Sequence, residues 1–287
     1  MQDVGEIEGS STQQPRAGPA TGVQRGGCLL ELSLDWIVLR ASENIHHVLG
    51  ESHVTLIDEP LGKFVKAQAL HDLRNLFSRL SGTTGIGRAY GVRLTDEHEF
   101  VDVAFQLSEG RVLLEAVQSA DGFGECFGTV GGLISGLSNA TGDALLDGGV
   151  RRMRALTGYD RVTLSCGSRR AESSRGAFTA PAELTARVPA LVADTEATHV
   201  GLFPRDPEET SAHHALMCLP DHAALEQLRR EGVRAVLCVP FCVDDVSGEF
   251  RCDSRTPRQP HFELHAAAEL FAQLFAMRLE IDRFKNG

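Results

Sequence analysis

No run of this sequence approaches the roughly 18 consecutive apolar residues that a membrane-spanning helix requires. Positive charge is scarce: 28 Lys and Arg face 39 Asp and Glu, a formal net charge of −11. A chain this acidic repels phosphate backbones, so no direct nucleic-acid partner is expected; the acidity favours solubility instead. There is no G-x-S-x-G, H-E-x-x-H or P-loop motif. The Gly131–Gly132 pair also lacks the preceding strand that a dinucleotide fingerprint needs. No catalysis is expected. The polar N-terminus, MQDVGEIEGSSTQQPRAG, holds no secretory apolar segment. Cysteines at positions 28, 126, 166, 218, 238, 242 and 252 are odd in number and irregular in spacing, which predicts reduced thiols and a cytoplasmic protein rather than a disulfide framework.

With 42% hydrophobic and 23% charged residues, the 287-residue chain has the composition of a globular protein, and its length predicts two domains. Residues 1–21, rich in Ser, Thr, Gln, Gly and Pro, are expected to form a flexible arm. CLLELSLDWIVLRAS then predicts two strands around a turn near Ser33–Asp35, and SENIHHVLG a short helix ending at Gly50. Residues 65–80 have helical spacing, and IGRAYGVRL, FVDVAFQLS and VLLEAVQS predict three strands, the last two joined at Glu109–Gly110. Two strands, short helices and three strands make the order of a PAS domain over residues 22–120. Residues 121–143 are glycine-rich, yet Phe127, Val130, Ile134 and Leu137 recur at helical spacing and predict a connecting helix.

Residues 144–287 follow the order of a GAF domain. An amphipathic helix stops at Thr157–Gly158, GYDRVTLSC is a strand, and PAELTARV predicts a helix entered at Pro181. PALVAD is a strand, HAALEQLRREGV a helix closed by Gly232, RAVLCVPFCVDD and GEFRCDS a strand pair, and residues 261–284 a long terminal helix. The fold class predicted is α+β: a PAS-like domain followed by a GAF-like domain, each a central antiparallel sheet with flanking helices.

Several stretches resemble the bacterial phytochromes. GVQRGGCLLELSLDWIVLRASENIHHVLG resembles that family's opening PAS segment. RALTGYDRV resembles the start of its GAF domain, LEQLRREGVRAVLCVPF its central helix and strand, and FELHAAAELFAQLFAMRLE its final helix. The resemblance spans residues 20 to 284 and implies a sensory module whose two domains jointly hold a linear tetrapyrrole. The residues that would hold it are largely replaced. Residues 1–27 contain no cysteine, where the family's bacterial members attach the pigment, and Cys28 falls inside the first PAS strand. The family's Pro-Ala-Ser-Asp-Ile-Pro motif corresponds to Phe178-Thr179-Ala180-Pro181. A pocket His aligns with Ala224, two residues after His222; a second aligns with Asp253, within Cys252-Asp253-Ser254. A propionate-binding Arg aligns near Cys218, and a pocket Tyr near Ser165.

A tetrapyrrole with two propionates needs cationic or neutral donors. Replacing Arg and His by Cys, Ala and Asp removes donors and adds an anion. The expectation is therefore a phytochrome-like regulatory module with no cofactor. The alternatives are biliverdin or another tetrapyrrole attached at Cys218 or Cys252, and a ligand-free scaffold that binds a partner. His46–His47 and His213–His214 are expected to be solvated pairs, with haem ligation the sharper alternative. Cys238 and Cys242, four apart on one strand, share a face about 13 Å apart, too far for one metal ion even with Cys252 and His213 or His214 added. They are expected to pack in the core. In the terminal helix, Leu270, Leu274, Met277, Ile281 and Phe284 step by 4, 3, 4 and 3, a heptad seam suited to a twin, while Ala267, Phe271 and Phe275 provide a face for the domain. The partner expected is a second copy, together with a downstream signalling protein.

Overall fold

The computed structural model describes residues 22–80, 85–120, 124–179, 188–206, 211–244 and 246–286. The expected arm 1–21, residues 121–123 of the connecting helix and nearly all of the helix entered at Pro181 lie outside the described residues.

The first sheet contains β1 (Gly22–Gln24), β2 (Cys28–Leu32), β3 (Val38–Ser42), β4 (Gly87–Val92), β5 (Val101–Ser108) and β6 (Arg111–Gln118). Helices α1 (His46–Leu49), α2 (His53–Leu56) and α3 (Ala67–Leu80) join its two halves. Trp36, Leu56, Leu73 and Phe105 centre the core between sheet and helices. Gly50 closes α1 at φ 76°, a left-handed conformation that glycine adopts without steric cost.

After α4 (Glu125–Ser135), the second domain comprises α5 (Gly142–Thr157), β7 (Arg161–Cys166), β8 (Arg169–Ser174), β9 (Leu191–Val192), β10 (His199–Phe203), α6 (His222–Arg230), β11 (Ala235–Val243), β12 (Val246–Ser254) and α7 (Phe262–Asn286). Its antiparallel sheet has the order β8-β7-β12-β11-β9. Helices α5 and α7 cover one face, where Phe241, Phe250, Phe271 and Phe275 meet; the Phe250 and Phe275 rings are 5.2 Å apart and tilted by 68°. Helix α6 covers the other face through Leu228, against Val192, Val236 and Cys238. No described helix is long and apolar enough to cross a membrane.

Three strands were not expected from the sequence: β1, β8 and β10. The order of the first sheet is β1-β10-β3-β2-β6-β5-β4, so β10, from the second half of the chain, lies between β1 and β3. The expected division at residue 120 therefore does not separate the two sheets cleanly. Strand β1 is clasped at Gln24: its amide nitrogen donates to the Leu191 carbonyl at 2.6 Å and the Cys218 carbonyl at 3.1 Å, and its oxygen accepts from the Ala193 N–H at 2.8 Å. Glu115 of β6 reinforces the junction by accepting from the Leu216 and Met217 N–H groups at 2.8 and 2.7 Å.

Candidate functional site

Side chains alternate across a strand, so register decides which residues share a surface. Asp253 pairs with Arg161, Arg251 with Thr163 and Cys238, and Glu249 with Ser165. All of these face α6. Buried Ala224 and Leu228, one helical turn apart, lie on the inner side of that helix. The Thr179 carbonyl reaches the same surface and accepts from Arg161 Nη1 at 2.6 Å. The positions that the resemblance aligns with the family's pocket, Ser165, Thr179, Ala224 and Asp253, thus converge on one face of one sheet.

Four of the charged side chains on that face form one cluster. Asp253 accepts from Arg161 Nε at 2.8 Å and Nη2 at 2.5 Å through one oxygen, and from Arg251 Nε at 2.8 Å through the other. Glu231, just past α6, accepts from Arg251 Nη2 at 2.6 Å and lies 3.7 Å from Arg161. Two cations meet two anions, so the cluster is neutral. Burial pulls the Arg251 pKa down, but Asp253 and Glu231 together outweigh it and hold the pKa above its ordinary value. Phe178 closes the edge, with the Arg161 guanidinium 4.5 Å and the Arg255 guanidinium 3.8 Å from its ring centre. Sequence reasoning found Asp253 but neither Arg161, Arg251 nor Glu231. The signal was available: β-strand spacing puts Arg251 and Asp253 on one face.

The two candidate attachment thiols are elsewhere. Cys252 pairs with Leu237 and faces the α5–α7 core, where burial drives its pKa far above the ordinary thiol value. Cys218 is buried with Val23, Leu29 and Leu202 at the junction between the domains, its thiol 3.4 Å from the His213 carbonyl. Cys252 therefore lies on the opposite face of the sheet from Asp253, and Cys218 in a separate core. Cys238 is buried under α6, Cys242 is exposed near the strand end, and Cys252 lies on the other side of the sheet. Among the described residues no group of three or more His, Cys, Asp or Glu is placed to hold a metal ion. His46 and His47 are both exposed, ring centres 4.1 Å apart.

In α7, Ala267, Phe271 and Phe275 are buried as expected, while Leu270, Met277, Ile281 and Phe284 point outward; Met277 is 52% and Phe284 82% exposed. Leu274 is half-buried at the edge of the core.

Residues 18–115 match the PAS fold family, and no curated protein matches the chain. The chain superimposes on the chromophore-binding domain of an unusual bacteriophytochrome, RpBphP3 from R. palustris, with a TM-score of 0.75 and 20% identity, covering 96% of this chain and 99% of that one. The fold is that of a bacteriophytochrome-like PAS–GAF module. A second phytochrome chromophore-binding domain, from Stigmatella aurantiaca, gives a TM-score of 0.71 at 22% identity, covering 94% of this chain and 98% of that one. The photosensory core module from the same organism gives 0.74 at 21% identity; this chain is covered to 98% but spans 62% of that longer module. In bacteriophytochrome-like terms, the first sheet apart from β10 is the PAS sheet and the second is the GAF sheet.

Proposed function

We propose that this chain is a phytochrome-like regulatory signalling module, without catalytic activity, whose GAF domain does not hold a linear tetrapyrrole in the family's manner. The observation that carries this reading is the ion cluster under α6. A pigment propionate needs a free cation, and both guanidiniums on that face already bind Asp253 and Glu231. Entry of a bilin would require displacing a fully buried carboxylate, which is strongly unfavourable while its partners stay buried. The donor set therefore does not fit the group. Coexpression with biliverdin followed by an absorption spectrum tests the reading. A colourless protein is expected, and a red-absorbing, photoconvertible adduct overturns it.

The signal leaves through α7, where two copies join along the seam Leu270, Leu274, Met277 and Ile281. Two features support the seam: its heptad steps are self-complementary, and the opposite face of the helix is already filled by the domain core. Light scattering on the purified protein should give twice the chain mass, and Met277→Glu with Ile281→Glu should give the monomer mass. A monomeric parent protein rejects the dimer while leaving the pigment result untouched.

A further inference from the structure

A second, unrelated cavity lies where the domains meet, on the other side of the GAF sheet from Asp253. Leu237 pairs with Leu191 and points toward the helix-covered core. Beneath these two, Tyr159, His261, Leu264 and His265 enclose a cavity of ≈ 170 Å³. Arg258 and Gln259 line this cavity and also a wider cleft of ≈ 380 Å³ that reaches the β1–β2 turn at Arg25 and Gly26, with Ala193, Ala197, Pro257 and Pro260 among its walls.

Donors on two buried side chains line the small cavity and are accessible from it. Tyr159 is 5% exposed, and its hydroxyl has no hydrogen-bond partner among the described residues. His265 is 1% exposed, and its Nδ1 lies 2.7 Å from Arg88 Nη2. A guanidinium only donates, so Nδ1 accepts and the ring proton sits on Nε2. Nε2 is 3.7 Å from the nearest Glu269 oxygen, beyond hydrogen-bond range. Glu269 is itself held by Arg88 at 2.8 Å. Water or a ligand that enters the cavity can accept from both.

The charges nearby favour an anion. Arg258 stacks over the Tyr159 ring at 5.0 Å. Arg25 has no ion-pair partner among the described residues and lines the cleft mouth. Asp194 also lines the cleft, but Arg234 holds it through two hydrogen bonds of 2.9 and 3.0 Å. A carboxylate has the acceptors that a hydroxyl and an imidazole N–H require, and the adjoining cleft falls within the usual volume of small-molecule sites, which favour domain junctions.

We infer that this junction binds a small organic carboxylate, its head on Tyr159 and His265 and its apolar body in the cleft beside Ala197 and Pro260. The proposal concerns the opposite side of the sheet from the pigment face and is independent of it. Calorimetric titration of the full chain with sodium octanoate tests it. Saturable one-to-one binding is expected, with none for octylamine, which has the same body and a cationic head. Tyr159→Phe, which removes only the hydroxyl, should weaken octanoate binding at least about tenfold. Ala197→Trp, in the half-buried wall of the wider cleft, should abolish it without altering the fold seen by circular dichroism, and this variant decides if Tyr159→Phe fails to fold. Absence of saturable octanoate binding, equal binding of octylamine, or unchanged affinity in a folded variant would overturn the assignment.

Discussion

Asp253 holds Arg161 through two hydrogen bonds to one carboxylate oxygen, at 2.8 and 2.5 Å, with both side chains fully buried between the GAF sheet and α6. Removing one member of such a pair strands its partner. Asp253→Ala should therefore cost about 3–5 kcal/mol in chemical denaturation, because Arg161 and Arg251 both lose their carboxylate. Replacing Asp253 and Arg161 together by apolar residues should cost much less than Asp253→Ala alone. Equal losses in the two variants would mean that the cluster is not the source of the destabilisation.

Two buried groups at the domain junction give opposite pH dependences. Burial chiefly, aided by Arg88, lowers the His265 pKa from 6.5 to about 3. The folded chain then binds fewer protons than the unfolded one across that interval, so this contribution is complete above pH 6.5 and is lost as the pH falls toward 3. Burial raises the Glu115 pKa from 4.5 to about 7, against the opposing N–H groups of Met217 and Leu216. Here the folded chain keeps a proton that the unfolded one releases, so stability falls as the pH rises from 4.5 to 7. Melting curves between pH 4.5 and 8 should show His265→Gln flattening the acid-side loss and Glu115→Gln flattening the loss toward neutral pH.

Gln24 ties β1 to β9 and to the segment before α6 through three hydrogen bonds. Gln24→Ala leaves buried carbonyls and an N–H without partners, a loss of about 1–3 kcal/mol. Limited proteolysis should then cleave near the arm faster than in the parent protein, with little change at sites in α7.

Gly149 of α5 faces Phe275 of α7 so closely that an added Cβ would lie 2.4 Å from the ring. Gly149→Ala should destabilise the GAF core by about 1–3 kcal/mol through overpacking, although alanine is the better helix former. The double variant Gly149→Ala with Phe275→Leu, which makes room at the ring, should recover part of that loss in thermal unfolding.

Much of the fold was legible from local pattern. Glu109–Gly110 fixes the β5–β6 hairpin, Gly50 and Gly158 end their helices at positive φ, and the short apolar runs in CLLEL and RAVLCVPF mark strands that the structure contains. The strands β1, β8 and β10 were not legible. β1 and β10 are short and owe their form to pairing with each other and with β3. β8 is an edge strand of charged and small residues that pairs with β7 alone and so carries little apolar alternation.

The sequence by itself determined most of the element types and the antiparallel character of the sheets, because periodicity and residue chemistry are local properties. It also marked the seam of α7, whose heptad steps are written along one helix. Only the tertiary structure decided that Asp253 meets Arg161, Arg251 and Glu231, that Cys252 faces away from them, and that Tyr159 and His265 open on a common cavity. Those relations join residues up to 106 positions apart, and they depend on strand register and on which face each helix covers. A one-residue shift of β12 would turn Cys252 toward α6 and Asp253 into the aromatic core.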